Sequence, residues 1–304
     1  MFLGTPEIAV PALLALAKEG FEIPLVLTNP DRPKGRGRHM QPCPVKATSE
    51  RLGLPVSHDL ADLEEVEADL AVVVAYGQII PEYLLEKLLF VNLHFSLLPK
   101  WRGAAPLERA ILNGDERTGI CLMALAPTLD TGPIYRQVEC EIGADETLEE
   151  LRGRLAVQAA DLLVTALKEG LGEPTPQKGE PTWAKKITTR DRHLDWSLSS
   201  VYLNRVVRLG GAWTTFRGKR LLIWKASPIV QSLVQSLEHS LEPGEIVWDF
   251  TSEKLLVGAG EGTALEVLTL QAEGKSKMDA LAWRNGANLD SAEFLGSGDL
   301  AIND

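Results

Sequence analysis

The stretch Asn92-Leu93-His94-Phe95-Ser96-Leu97-Leu98-Pro99-Lys100-Trp101-Arg102-Gly103-Ala104-Ala105-Pro106 decides how the first half of the chain is read. Val91 to His94 has the length and apolar weight of a buried strand, and Ala105 to Asn113 has helical spacing. Between them lies a loop punctuated by Pro99 and Gly103. Strand, loop and helix in that order make one unit of an alternating α/β fold. Residues two apart on a strand face the same way, so Asn92 and His94 share a face. At the strand's carboxyl end both project into the crevice where such folds bind ligands. An amide beside an imidazole can donate hydrogen bonds to an oxygen that turns negative in a transition state. A polar strand end satisfied by its own loop has the same sequence, and the pattern alone fits both.

The alternation extends outward in both directions. Phe2-Leu3 leads into Gly4-Thr5-Pro6, Ile8 to Lys18 is helical, and Ile23 to Thr28 is extended. Val45 to Leu52 suits a helix, Pro55-Val56 a short strand, Ala71 to Ala75 a buried strand, and Pro81 to Leu88 a helix with Pro in its first turn. Gly119 to Ala124 is a further strand and Thr147 to Lys168 a closing helix. The pattern predicts an α/β domain with a doubly wound, mostly parallel, Rossmann-like sheet. Only Met1, Phe2 and Leu3 precede the Gly4 turn. The first strand is therefore expected to be stunted, or the true start to lie upstream, and a short central strand would leave neighbouring backbone groups unpaired.

Pro174, Pro176 and Pro181 with Gly170, Gly172 and Gly179 punctuate the next segment. Residues 170–186 are thus expected to link a domain over 1–169 to a second over 187–304. The second carries short strands at Trp213 to Phe216, Leu221 to Ala226, Glu245 to Phe250, Lys254 to Gly258 and Leu265 to Leu270, which fit a small, OB-like β-barrel. Gln231 to Leu241, with leucines four apart, reads equally as a short helix or a polar loop.

At 304 residues the chain exceeds what one hydrophobic core serves, in keeping with two domains. No apolar run reaches membrane-spanning length and no basic region precedes an apolar leader, so a cytoplasmic location is expected. Cys43, Cys121 and Cys140 are dispersed, which argues against a metal site or a disulfide frame. Gly35-Arg36-Gly37-Arg38 completes neither a dinucleotide fingerprint nor a P-loop. The net charge of -11 argues against a polyanionic partner on average. The cations are clustered, however: Arg32, Lys34, Arg36, Arg38 and Lys46 stand against Asp31 alone. Arg205, Arg208, Arg217, Lys219, Arg220 and Lys225 lie in an acid-free run. A one-faced contact with a polyanion gives this pattern, and so does an uneven solvated surface.

A second constellation is Leu129-Asp130-Thr131-Gly132-Pro133. On spacing alone Asp130 is a turn residue. Brought next to His94, its carboxylate could accept a proton from an attacking amine and orient the imidazole.

These motifs together resemble the folate-dependent formyltransferases, and within them the family that acts on methionyl-tRNA. The resemblance is carried by Gly4-Thr5-Pro6, the run Pro30 to Gly37, Val73-Val74-Ala75-Tyr76-Gly77, Ser96-Leu97-Leu98-Pro99 with Trp101 to Pro106, and Leu129-Asp130-Thr131-Gly132. Asp195-Trp196-Ser197, Trp224-Lys225-Ala226, Leu270-Gln271 and Gly274-Lys275 extend it over nearly the whole chain. It implies Asn92, His94 and Asp130 as the catalytic set, and on chemical grounds a protonated His94 with Asn92 can stabilise the oxygen of the tetrahedral carbon. It also implies Ser96, Leu97, Leu98 and Pro99 as the folate-contacting loop, Tyr76 to Ile80 beside the pterin, and Arg36 in a loop that enters the tRNA acceptor stem. The formyl donor would be 10-formyltetrahydrofolate, the acceptor initiator methionyl-tRNA, and no metal or membrane would be needed; a monomer is expected. Two other readings are a formyltransferase for a small amine, such as an amino sugar nucleotide or a purine precursor, and an RNA-binding module of the same fold without activity.

Overall fold

The computed structural model describes residues 1–34, 39–231, 240–289 and 293–296. Two compact units divide the chain: Met1–Arg109, Glu116–Ile142 and Glu150–Lys185 form the first, and Ala110–Asp115, Gly143–Glu149 and Lys186–Asp304 the second. Up to Glu169 the elements are β1 (Phe2–Gly4), α1 (Val10–Lys18), β2 (Val26–Leu27), the hairpin β3 (Arg32–Lys34) and β4 (His39–Gln41), α2 (Pro44–Arg51), β5 (Val56–Ser57), β6 (Leu70–Val74) and α3 (Glu82–Lys87). They continue with β7 (Leu89–His94), α4 (Pro106–Asn113), β8 (Arg117–Ala124), β9 (Ile134–Glu141) and α5 (Leu148–Glu169).

The sheet order is β5-β2-β1-β6-β7-β8-β9, the first five strands parallel and the last two antiparallel. The chain winds from β1 through β2 to β5, then returns to β6 on the other side of β1. At such a reversal folds of this kind bind ligands, here at the carboxyl ends of β1 and β6, with β7 alongside. The expected doubly wound sheet is thus present. Leu3, Leu27, Ala71, Val73 and Phe90 meet in one apolar cluster, while Phe2, Val26, Val72 and Val91, of opposite parity, are buried as well. A sheet covered on both faces requires such uninterrupted apolar strands.

β1 is short and central, yet its surroundings are paired, contrary to the expectation from its length. The Met1 ammonium donates to Leu70 O at 2.9 Å, Val72 N donates to Met1 O, and Phe2 N donates to Leu25 O. The partner strand β2 is itself only two residues long. β9, unforeseen in the sequence, is an edge strand whose middle is exposed; Arg136, Gln137 and Glu139 erase the apolar alternation.

The second unit continues with α6 (Ser200–Arg208), β10 (Ala212–Phe216), β11 (Lys219–Val230), β12 (Glu245–Asp249), β13 (Lys254–Ala259), β14 (Thr263–Ala272), β15 (Met278–Asp279), α7 (Ala280–Ala287) and β16 (Glu293–Phe294). The five expected strands are all there, antiparallel in the order β10-β11-β14-β13-β12-β16 with β15 against β14. Gly296 N donates to Thr215 O at 2.9 Å, which brings the last strand's turn onto the first strand and curls the sheet toward a barrel. The helices α6 and α7 were not foreseen; α6 buries Leu203, Val206 and Val207, and α7 buries Trp283. Of the ambiguous stretch 231–241, residues 232–239 lie outside the described residues. At its two ends the buried Gln231 side chain donates to Leu241 O and accepts from Leu241 N.

Because Leu3 is wholly buried in the central strand, Leu3→Ala should destabilise the first unit by ~2–5 kcal/mol. Chemical denaturation followed by hydrogen exchange of β1 and β6 amides measures this, and a loss below about 1 kcal/mol would show that β1 is not central to the core.

Candidate active site

Asn92 and His94 stand on β7, whose neighbours β6 and β8 pin them through the pairs Val73–Asn92, Asn92–Met123 and His94–Cys121. Both side chains are buried. β8 runs antiparallel to β7 and carries the chain away from the His94 end, so residues 125–133 have to come back along it. They bring Asp130 beside His94, with Asp130 Oδ1 3.6 Å from His94 Nδ1 and the two side chains 8% and 6% exposed. This return is tight. A Cβ on Gly132 would overlap the Ala124 carbonyl oxygen.

Asp130 itself has φ +52°, in the left-handed region, where a non-glycine residue costs roughly 1–3 kcal/mol. Gly103 N donates to its Oδ2 at 2.8 Å. Gly103 has φ +123°, and a Cβ there would stand 2.7 Å from Ala184 O, so the position tolerates only glycine. Gln177 Nε2 donates to both Asp130 O at 2.8 Å and Gly132 O at 2.9 Å. Its Oε1 accepts from Arg102 Nε at 3.0 Å and from a terminal guanidinium nitrogen at 2.6 Å. The Pro/Gly-rich segment that supplies Gln177 is tied into the first unit: Thr175 exchanges backbone bonds with Ile134, Arg102 N donates to Thr182 O, and Ala184 N donates to Arg102 O.

His94 Nε2 lies 3.0 Å from Trp101 O. A carbonyl only accepts, so Nε2 carries a proton, and in the neutral ring the Nδ1 lone pair then faces the carboxylate. Burial pushes the His94 pKa down, opposed by the Asp130 charge and the Trp101 carbonyl. Burial therefore favours the neutral imidazole in the free site. Two acceptors 3.6 Å apart form no hydrogen bond with each other. Between them they make a receptor for a donor, such as an N–H.

The Ser96 to Pro99 loop is largely turned inward. Ser96 is wholly buried with its hydroxyl on Lys100 O at 2.5 Å, and Leu98 packs with Cys121, Met123 and Ile134. Burial raises the Cys121 thiol pKa to about 11, and its Sγ donates to Ser96 O. Tyr76 is buried with the apolar cluster under β1, whereas Ile79 is 84% exposed. Arg36 lies outside the described residues. Three cations of the second basic stretch are spent within the second unit: Arg205 donates to Asn113 O, and Arg208 to Glu146 O and Gly143 O. The third, Arg217, bonds Glu293 and the carbonyls of Ala287 and Asn288. Arg220 lies over the Trp213 ring. Arg102 lies in the quoted motif Trp101 to Pro106 but was given no role, and Gln177 was not singled out, since a lone Gln among prolines carries no periodic signal.

The family described as "Formyl transferase" matches residues 1–167, and "Formyl transferase, C-terminal domain" matches residues 186–288. A "Methionyl-tRNA formyltransferase" of Acidothermus cellulolyticus is 41% identical over 95% of this chain and 97% of its own length. Two solved structures share the fold. An N-formyltransferase from Helicobacter canadensis, in complex with folinic acid and dTDP-3-aminofucose, has a TM-score of 0.63 at 17% identity, over 89% of this chain and 98% of its own. HypX from Aquifex aeolicus, in complex with tetrahydrofolic acid, has a TM-score of 0.57 at 20% identity over 81% of this chain. The chain spans 44% of HypX.

In an NMR titration the His94 imidazole should titrate below the ordinary 6.5. Asp130→Asn removes the charge that favours the imidazolium, so the midpoint should fall further; an unchanged or raised midpoint would mean that the two groups are not coupled.

Proposed function

The chain belongs to the methionyl-tRNA formyltransferase family, and we propose that it transfers the formyl group of 10-formyltetrahydrofolate to the amino group of methionine on initiator methionyl-tRNA. The observation that carries the reading is the buried His94–Asp130 pair, two groups 3.6 Å apart at the carboxyl end of β7. In this proposal the aminoacyl amine, with a pKa of about 8 or below, enters between them. Entering as the ammonium, it gives one proton to the neutral His94 ring. The freed nitrogen lone pair forms a bond to the formyl carbon, and the nitrogen then sheds its second proton to Asp130, directly or through water. As the carbon becomes tetrahedral its oxygen gains negative charge, and Asn92 with the newly protonated His94 donates to it. The carbon–nitrogen bond to the folate then breaks, and that nitrogen takes a proton back.

The further assignments belong to the same proposal. Residues 1–169 are the catalytic domain, 170–186 the linker and 187–304 the tRNA-binding domain. Ser96, Leu97, Leu98 and Pro99 contact the folate, mainly through their backbone because Ser96 and Leu98 point inward. Arg36 contacts the acceptor stem, and Lys219 and Arg220 bind its phosphates. The protein works in the cytoplasm as a monomer without a metal; among the described residues no helix is long and apolar enough to cross a membrane.

Formyl transfer from a folate donor should be assayed with charged initiator tRNA, free methionine and an amino sugar nucleotide side by side. Only the charged tRNA is expected to be formylated efficiently, and preference for either small amine would overturn the substrate assignment. Asp130→Asn, nearly isosteric but unable to accept the proton, should lower kcat by ~10²–10⁴-fold with the fold kept. A variant within about tenfold of the parent would remove Asp130 from the mechanism.

Arg36→Leu should weaken binding of charged tRNA and leave folate binding unchanged. Neutralising Lys219 and Arg220 should flatten the log–log salt dependence of RNA affinity by roughly 0.7–0.9 for each phosphate that is no longer neutralised. An unchanged slope would mean that these two cations only hydrate the surface.

A further inference from the structure

Asp130 holds its carboxylate at His94 only while its backbone stays in the left-handed turn of residues 129–132. Within the turn Thr131 donates to Thr128 O, from its hydroxyl at 2.9 Å and from its peptide nitrogen at 3.4 Å, but neither bond reaches Asp130, which lacks the freedom of glycine. The enforcing bonds come from elsewhere in the first unit. Gln177 Nε2 uses both of its hydrogens on the turn, one on Asp130 O at 2.8 Å and one on Gly132 O at 2.9 Å. The amide cannot rotate away, since Arg102 donates twice to Gln177 Oε1, at 3.0 and 2.6 Å. The residue after Arg102 closes the circuit, its peptide nitrogen donating to Asp130 Oδ2 at 2.8 Å. Gln177 is half-buried between exposed neighbours, in a segment tied down by Thr175 on one side and by Thr182 and Ala184 on the other.

We propose that Gln177 and Arg102 are positioning residues for the reaction, clamping the Asp130 turn so that the carboxylate meets the incoming amine. This rests on the reading of Asp130 as the base. The chemistry of the clamp is directional. A glutamine presents its N–H pair to the turn and its oxygen to Arg102, whereas glutamate keeps the Arg102 bonds but sets a carboxylate oxygen against two carbonyls.

The test is a double-mutant cycle on the full-length protein with charged tRNA and the folate donor. Gln177→Glu should lower kcat by about 10–10²-fold, with the KM for folate little changed, because a displaced base costs turnover rather than binding. In an Asp130→Asn background the same substitution should change the remaining rate less than about twofold, since the group it positions is gone. Gln177→Met, which removes the donors without adding a charge, and Arg102→Met, which frees the amide, should behave alike and serve if Gln177→Glu does not fold. A folded Gln177→Met or Arg102→Met protein with kcat within twofold of the parent overturns the proposal, as does an equal loss in both backgrounds, which marks a general structural role. Should Asp130→Asn alone retain near-parent activity, the reading of Asp130 fails first, and that outcome is separable from a failure of the clamp alone.

Discussion

The bond from Gly103 N to Asp130 Oδ2, 2.8 Å long, does what burial demands. A carboxylate and an imidazole sit side by side with almost no solvent access, and a buried charge without donors costs several kcal/mol. One peptide N–H aimed at one carboxylate oxygen offsets part of that cost and leaves the other oxygen facing His94. Much of the local geometry follows. Gly103 needs φ +123° and no Cβ, because the Ala184 carbonyl stands where a side chain would go. Residues 182–184 in turn pair with Arg102, so loop and segment hold each other in place.

The same arrangement sets the proton inventory. Trp101 O calls for a proton on His94 Nε2, and burial favours the neutral ring. The proposed substrate amine would then arrive as the donor that the two acceptors lack. Had the site been more open, water would screen the pair and solvate both acceptors, and a resting imidazolium would be far less costly. On the proposed mechanism the depth of the pair decides which partner brings the proton.

The sheet was legible in the sequence because its inner strands are runs such as Leu70–Val74, apolar without interruption and bounded by turn residues. β9 was not, since an edge strand exposed along its middle has no reason to alternate. Within the second unit the strands were readable and α6 was not. Its basic residues looked like an RNA surface, whereas Arg205 and Arg208 each donate to backbone carbonyls of neighbouring segments. Charge is visible in a sequence, but the carbonyl that consumes it is not.

Asn92 and His94 were placed on one face by the two-residue period of a strand, a constraint that needs no tertiary information. The alternation of elements likewise determined the parallel sheet and the end of it that faces ligand. The meeting of His94 with Asp130, the burial that disfavours the imidazolium and the bonds from Gln177 to the Asp130 turn were decided by tertiary structure alone. Each depends on segments distant in sequence packing until water is excluded, and no local period or propensity records which peptide N–H will stand opposite a given carboxylate.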